Sequence, residues 1–263
     1  IQKQYFGVLK DGDVMNVLRL VFITGVSRFS RVSIFSELNN LNDITLHARY
    51  ATMLGYTQEE LERDFAQHLA QFAAGLDIPT VELVDRVKDY YNGYRFTKRA
   101  VTVYNPFSTL RALDALDFGQ YWFETSTPSF LVNLLRERDY PLPTLEHLYV
   151  PESIFTYDIR DLQPEALLFQ SGYLTIQAVQ GDLYHLAYPN QEVKIAFLEQ
   201  LLYAFAPHEK PQVGEHTKRL AWYLQQEDFE ALFETLHALF ATIPYDIQTK
   251  RDEAYYHTLF YLM

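Results

Sequence analysis

Thr24, Ser27 and Arg28 sit at the carboxyl end of an apolar run, Val17–Thr24, with Arg31 three residues further on. A guanidinium in such a place can read phosphate charge through paired hydrogen bonds, and a threonine hydroxyl can position a water. These four are the candidate nucleotide-sensing residues. The same pattern also fits a plain strand end with surface arginines. Arg95 is a further candidate. It sits in Tyr91-Asn92-Gly93-Tyr94-Arg95-Phe96, where Asn92-Gly93 supplies the positive backbone dihedral of a tight turn and could present the arginine to a nucleotide or a neighbouring subunit. The aromatic residues around it, including Tyr104, Tyr121 and Trp122, fit equally as packing residues with their polar tips at the rim.

Other constellations are missing. No G-x-x-x-x-G-K-[ST] loop occurs, and no apolar strand ending in paired acids precedes Val17. Glu82/Asp85 and Asp158/Asp161 have helical spacing that a solvated face explains. No H-x-x-x-H pair lies on a helical pattern and no G-x-S-x-G elbow is present, which removes the zinc peptidase and serine hydrolase readings. No catalytic residue and no metal site are assigned.

The elements that must position the candidates follow from periodicity. Val17–Thr24 is nearly continuous in branched apolar residues, the pattern of a strand covered on both faces in a parallel sheet, and Gly25 ends it. Ser27–Thr45 reads as an ordered connection with short helical turns. Thr57-Gln58-Glu59-Glu60 has capping-box spacing, and Leu61, Phe65, Leu69 and Phe72 mark one helix closed by Gly75. Val84, Val87 and Tyr91 mark a second, ended by Asn92-Gly93. Val101–Tyr104 reads as a short strand. Pro106 and Thr127-Pro128 open further helices, and Tyr140-Pro141-Leu142-Pro143 reads as a linker. A helix over Ala166–Gln170 precedes a hairpin, Tyr173–Val179 and Leu183–Tyr188, around Gln180-Gly181-Asp182. A helix from Gln191 carries Val193, Phe197, Leu201 and Phe205. Helices through Trp222, through Phe229 to Phe240, and from Glu253 complete the chain.

Composition bounds the class. The 263 residues are 48% hydrophobic and include 20 Tyr and 19 Phe, enough for one substantial core or two smaller ones. Cysteine is absent, which excludes disulfides and thiolate metal sites and fits a cytoplasmic setting. There is no run of membrane-span length and no signal peptide pattern. A formal net charge of -12 opposes binding to nucleic acid; Lys98-Arg99, Lys218-Arg219 and Lys250-Arg251 are isolated pairs. Ile1–Lys10 reads as an amphipathic helix already under way, and the last helix lacks a closing cap, a pattern expected of an interior piece of a longer protein.

Several blocks together resemble a known family. Phe22–Thr45 (F-I-T-G-V-S-R-F-S-R-V-S-I-F-S-E-L-N-N-L-N-D-I-T), Tyr91–Phe96, Val103-Tyr104-Asn105-Pro106-Phe107-Ser108, Tyr121-Trp122-Phe123-Glu124-Thr125-Ser126 and Ser171-Gly172-Tyr173-Leu174-Thr175 occur in the order found in the AAA-ATPase-like family. Its members are commonly fused to a PD-(D/E)XK nuclease-like domain. The resemblance implies a mixed, mainly α fold. Residues 1–55 would be the end of an ATPase core with a remnant of a parallel P-loop-type sheet, 56–140 a helical lid, 141–207 a winged-helix-like unit, and 208–263 helices leading into a nuclease-like domain.

It further implies ATP and Mg2+ for a longer parent, and a partner in the nucleotide-binding part expected before Ile1. The phosphate loop and the nuclease's metal-holding Asp and Glu-x-Lys lie outside this sequence, so the piece itself is expected to need no cofactor and to hydrolyse nothing. Two other readings stand beside this one. The helix and hairpin could be a module binding nucleic acid or protein, although Leu174–Tyr188 holds no Lys or Arg to meet a phosphate. Alternatively the chain is a regulatory or structural domain whose uncovered apolar sheet would self-associate.

Overall fold

The computed structural model describes residues 12–25, 42–125, 129–155, 163–205, 210–241 and 253–262. The chain is mixed and mainly helical, with a small three-stranded antiparallel sheet. It divides into two compact units, each made of two separated stretches: residues 1–119 with 147–190, and residues 120–146 with 191–263.

The first unit begins differently from the sequence expectation. Val17–Thr24 forms no strand: after a helical turn at Gly12–Met15 the backbone runs irregularly, with Val17 81%, Leu20 80% and Phe22 58% exposed. A run covered on both faces becomes a strand only by pairing with neighbours. Among the described residues no strand lies beside this one. The connection over Ser27–Thr45 and the helix over Ile1–Lys10 fall wholly or mostly outside the described residues.

From Thr57 the sequence pattern is realised closely. The Thr57 hydroxyl accepts from Glu60 N (3.2 Å), and the Glu60 carboxylate accepts from Thr57 N (2.9 Å), a complete capping box. These bonds to Thr57 hold the Glu60 carboxyl below its ordinary pKa. The expected single helix is two, α1 (Gln58–Asp64) and α2 (Ala66–Gly75), kinked at Phe65, whose ring packs edge-on against Tyr56. Beyond α2 the reversal occurs at Asp77, in the left-handed region at φ 54, with Ile78 N bonded to Ala73 O and Asp77 N to Ala74 O. This is a Schellman closure with an aspartate where glycine is usual.

Helix α3 (Thr80–Tyr91) buries Leu83, Val87 and Tyr91. Phe118 fills the space beside it, 5.1 Å from the Phe72 ring and 4.9 Å from the Tyr90 ring, with Arg86 over its face at 5.2 Å. Among the described residues Val101–Tyr104 makes isolated bridges, Tyr94 to Val103 and Tyr56 to Tyr104, and no strand. The second requires Gly55, because a Cβ there would stand 2.5 Å from Tyr104 O. Helix α4 (Pro106–Ala115) starts on Asn105, whose side chain accepts from Phe107 N and Ser108 N.

The sheet has the order β1-β3-β2, from β1 (Leu148–Pro151), β2 (Thr175–Gln180) and β3 (Leu183–Ala187), with α6 (Pro164–Gln170) leading into it. The hairpin appears where the sequence puts it. The strand β1 gives no sequence signal, being four residues long and ending in proline. A register shift makes Gln177 a bulged residue between the pairs Ile176–Leu186 and Ala178–His185. Val150, Tyr184, Leu186 and Ile176 form the buried face, where Phe155 packs against Tyr184 and Phe169.

The second unit is helical. Its centre is α7 (Gln191–Phe205), which buries Val193, Phe197, Leu201 and Phe205 as its spacing predicts. It packs with α5 (Ser129–Glu137) and α10 (Glu253–Leu262). The segment Tyr140–Pro143 lies inside this unit, where the prolines set a 3-10 turn over Leu142–Glu146 and Leu142 and Leu145 are fully buried. The Glu146 carboxylate accepts from Lys194 Nζ (2.8 Å) and Tyr261 Oη (3.0 Å), and buried Glu192 accepts from Trp122 N (2.9 Å). Helices α8 (Lys210–Gln225) and α9 (Phe229–Ala241) form a hairpin closed through Glu227, left-handed at φ 56. Among the described residues no helix is long and apolar enough to cross a membrane.

Candidate functional site

The turn singled out by sequence, Tyr91–Phe96, carries a buried, hydrogen-bonded polar constellation of the first unit. Its geometry starts at Asn92, buried, whose side chain accepts from Gly93 N. Gly93 has φ 106, and a Cβ on it would fall 1.8 Å from Pro189 O, so only glycine fits on both grounds. The Asn190 side chain donates to Asn92 O at 2.8 Å, tying the turn to the end of the hairpin. On its other side Asn105 N donates to Tyr91 O.

Arg95 follows. Its main-chain N–H donates to Thr175 Oγ1 (2.8 Å), and the threonine hydroxyl donates back to Arg95 O (3.2 Å). The guanidinium is 8% exposed for the residue as a whole and is engaged by carbonyls: Nε donates to Thr97 O (3.0 Å), Nη1 to Gln177 O (2.9 Å) and Nη2 to Lys98 O (2.5 Å). Among the described residues no carboxylate pairs with it. A buried cation held in this way has its charge met by oriented carbonyl dipoles, and its fork fixes three chain positions at once. In this arrangement Arg95 fastens backbone; its N–H groups are turned inward, away from solvent.

Two side chains extend the constellation. Lys98 Nζ donates to Glu152 (3.0 Å) and lies 5.5 Å from the centre of the Tyr184 ring, contacts that raise its pKa. The Tyr104 hydroxyl donates to Gln58 Oε1 (2.6 Å), and burial pushes its pKa up to about 12. Burial likewise raises the Tyr173 hydroxyl. Phenols shifted in this direction stay protonated and act as donors; they are not bases near neutrality.

The other sequence candidates fare differently. Thr24 is exposed on irregular backbone, and Ser27, Arg28 and Arg31 lie outside the described residues, as do Asp158 and Asp161. Glu82 and Asp85 are exposed on α3. Sequence reasoning missed Thr175, Gln177 and Asn190, the partners of the turn. They lie 80 to 98 residues from it, and their residue types carry no local signal.

Among the described residues no group of three or more His, Cys, Asp or Glu side chains is placed to hold a metal, and the guanidinium of Arg95 is occupied by carbonyls.

A protein of Azotobacter chroococcum mcd 1, described as an uncharacterized protein in the vnfD 5' region, is 40% identical to the chain over 268 residues. The match covers 98% of this chain and 49% of that protein, so the chain spans about half the length of the curated relative it matches. No protein-family model matches the chain, and no solved structure does.

Proposed function

We propose that the chain is the sensor-to-lid portion of an ATP-binding, AAA-ATPase-like protein, and that it hydrolyses nothing by itself. In this reading Thr24, Ser27, Arg28 and Arg31 face the γ-phosphate of a nucleotide held by another part of the same protein. The helices from Thr57 form the lid, and α6 with the β2–β3 hairpin is the winged-helix-like unit. ATP and Mg2+ belong to the whole protein, and a PD-(D/E)XK nuclease-like domain is its expected companion.

One observation carries the reading. Val17, Leu20 and Phe22 form a strand-like apolar run that stands exposed, immediately before the polar residues of the sensor pattern. An apolar run of branched residues exposed to water is a segment suited to a sheet that these residues do not provide. Arg95 takes a positioning role in this scheme, holding the turn on the hairpin, and is not a sensor.

The test is a nucleotide-binding titration on the complete protein carrying this chain and on its Arg28→Ala variant, with steady-state hydrolysis alongside. The reading expects weaker or slower turnover of ATP in the variant. Unchanged affinity and unchanged hydrolysis would remove Arg28 from the site.

A further inference from the structure

The hairpin of α8 and α9 presents two exposed stripes of opposite charge. In α8, Leu220 is buried, while Lys218, Arg219 and Trp222 are exposed, and their spacing of three and four residues puts them on one stripe. In α9, Leu236 is buried, while Phe229 and Phe233, four apart, are exposed with Glu230 and Glu234 beside them. The three aromatic residues are 59%, 54% and 60% exposed.

Each stripe therefore joins an aromatic anchor to charges of one sign, and the two signs are opposite. A surface carrying both halves of a complementary pair meets its match in a copy of itself. Under a twofold axis the contact forms twice. A polyanion would be repelled by Glu230 and Glu234, and so would an anionic lipid surface.

We propose that this hairpin is the docking surface for a second copy of the chain. Trp222 of one copy packs on Phe229 and Phe233 of the other, while Lys218 faces Glu230 and Glu234. This surface is separate from the exposed run Val17–Phe22 and does not depend on the nucleotide reading.

Sedimentation velocity over a concentration series tests it with the 263-residue chain. The wild type should show a monomer–dimer equilibrium. Trp222→Ala should weaken dimerisation by at least ~10-fold, as loss of an aromatic anchor does, with the far-UV spectrum unchanged. Two charge-reversed variants sharpen the result: Lys218→Glu, and Glu230→Lys with Glu234→Lys. Each alone should be monomeric, and an equimolar mixture should dimerise again. A wild type that stays monomeric overturns the proposal, as does a mixture that stays monomeric. A dimer indifferent to Trp222→Ala and to both reversals would also overturn it and move self-association to another apolar surface.

Discussion

Arg95 Nη1 donates to the main-chain oxygen of Gln177 at 2.9 Å, so a cation of the Tyr91–Phe96 turn grips the bulged residue of β2. The bulge takes Gln177 out of the ladder with β3, and the guanidinium accepts its carbonyl into a second network that includes Thr97 and Lys98. A feature that weakens the sheet locally is thus fixed from outside it.

Removing that grip should be costly. Arg95→Ala leaves carbonyls of Thr97, Gln177 and Lys98 without their donor, and a loss of roughly 2–4 kcal/mol is expected in denaturant unfolding. Arg95→Lys should recover little of it, since an ammonium cannot reproduce the fork. Gln177→Ala keeps the main-chain acceptor and loses only the side-chain bond to Tyr188 O, about 1 kcal/mol. If Arg95→Ala and Gln177→Ala have equal, small effects, the guanidinium does not hold the bulge.

Gly93→Ala should be worse than a change of backbone preference alone. A left-handed alanine costs ~1–2 kcal/mol, and here its Cβ would also collide with Pro189 O. The expected outcome is loss of the cooperative thermal transition. Gly75→Ala is the control: nothing lies within 4 Å of its added Cβ, and it should unfold like the parent or slightly later.

The helix closures at Asp139 and Glu227 put acidic residues in the left-handed region, at φ 45 and 56. Neither the backbone nor the negative end of the helix dipole favours them. Asp139→Gly and Glu227→Gly should each stabilise the protein by about 1 kcal/mol, read as a higher melting temperature. A lower melting temperature for both would mean these side chains make compensating contacts.

The Tyr104 hydroxyl gives a pH signature. Its folded pKa is raised from 10.0 to about 12, so above pH 10 the unfolded chain gives up a proton that the folded chain keeps. The native state then binds more protons, and stability falls as pH rises through that interval; below pH 10 this group contributes no slope. Tyr104→Phe should flatten the loss of stability between about pH 10 and 12. An unchanged slope would place the alkaline sensitivity on other groups, Tyr173 first among them.

Much of the helical framework is legible in sequence because its signals are local. The Thr57 capping box, the Asn105 cap before Pro106, and the one-sided apolar spacing of Val193 to Phe205 each depend on residues a few positions apart. The hairpin is equally local, set by Gly181 between two short runs. What escaped reading depends on distant partners. Val17–Thr24 has the composition of a strand but no neighbour to pair with among the described residues, and composition cannot reveal that. Arg95 stood out by its place in an Asn-Gly turn. Its fork closes on two nearby carbonyls and on that of Gln177, 82 residues away, while its main chain is fixed by Thr175, 80 residues away.

The bond from Asn190 to Asn92 O spans 98 residues, and the helical segment 120–146 belonging to the other unit lies between its ends. At the usual pace of translation the ribosome needs roughly 5–20 s to deliver the second partner after the first. Through that interval the Asn92-Gly93 turn and its arginine wait without the hairpin they dock on. Codon tempo or chaperone supply between residues 92 and 190 should therefore affect the yield of folded protein.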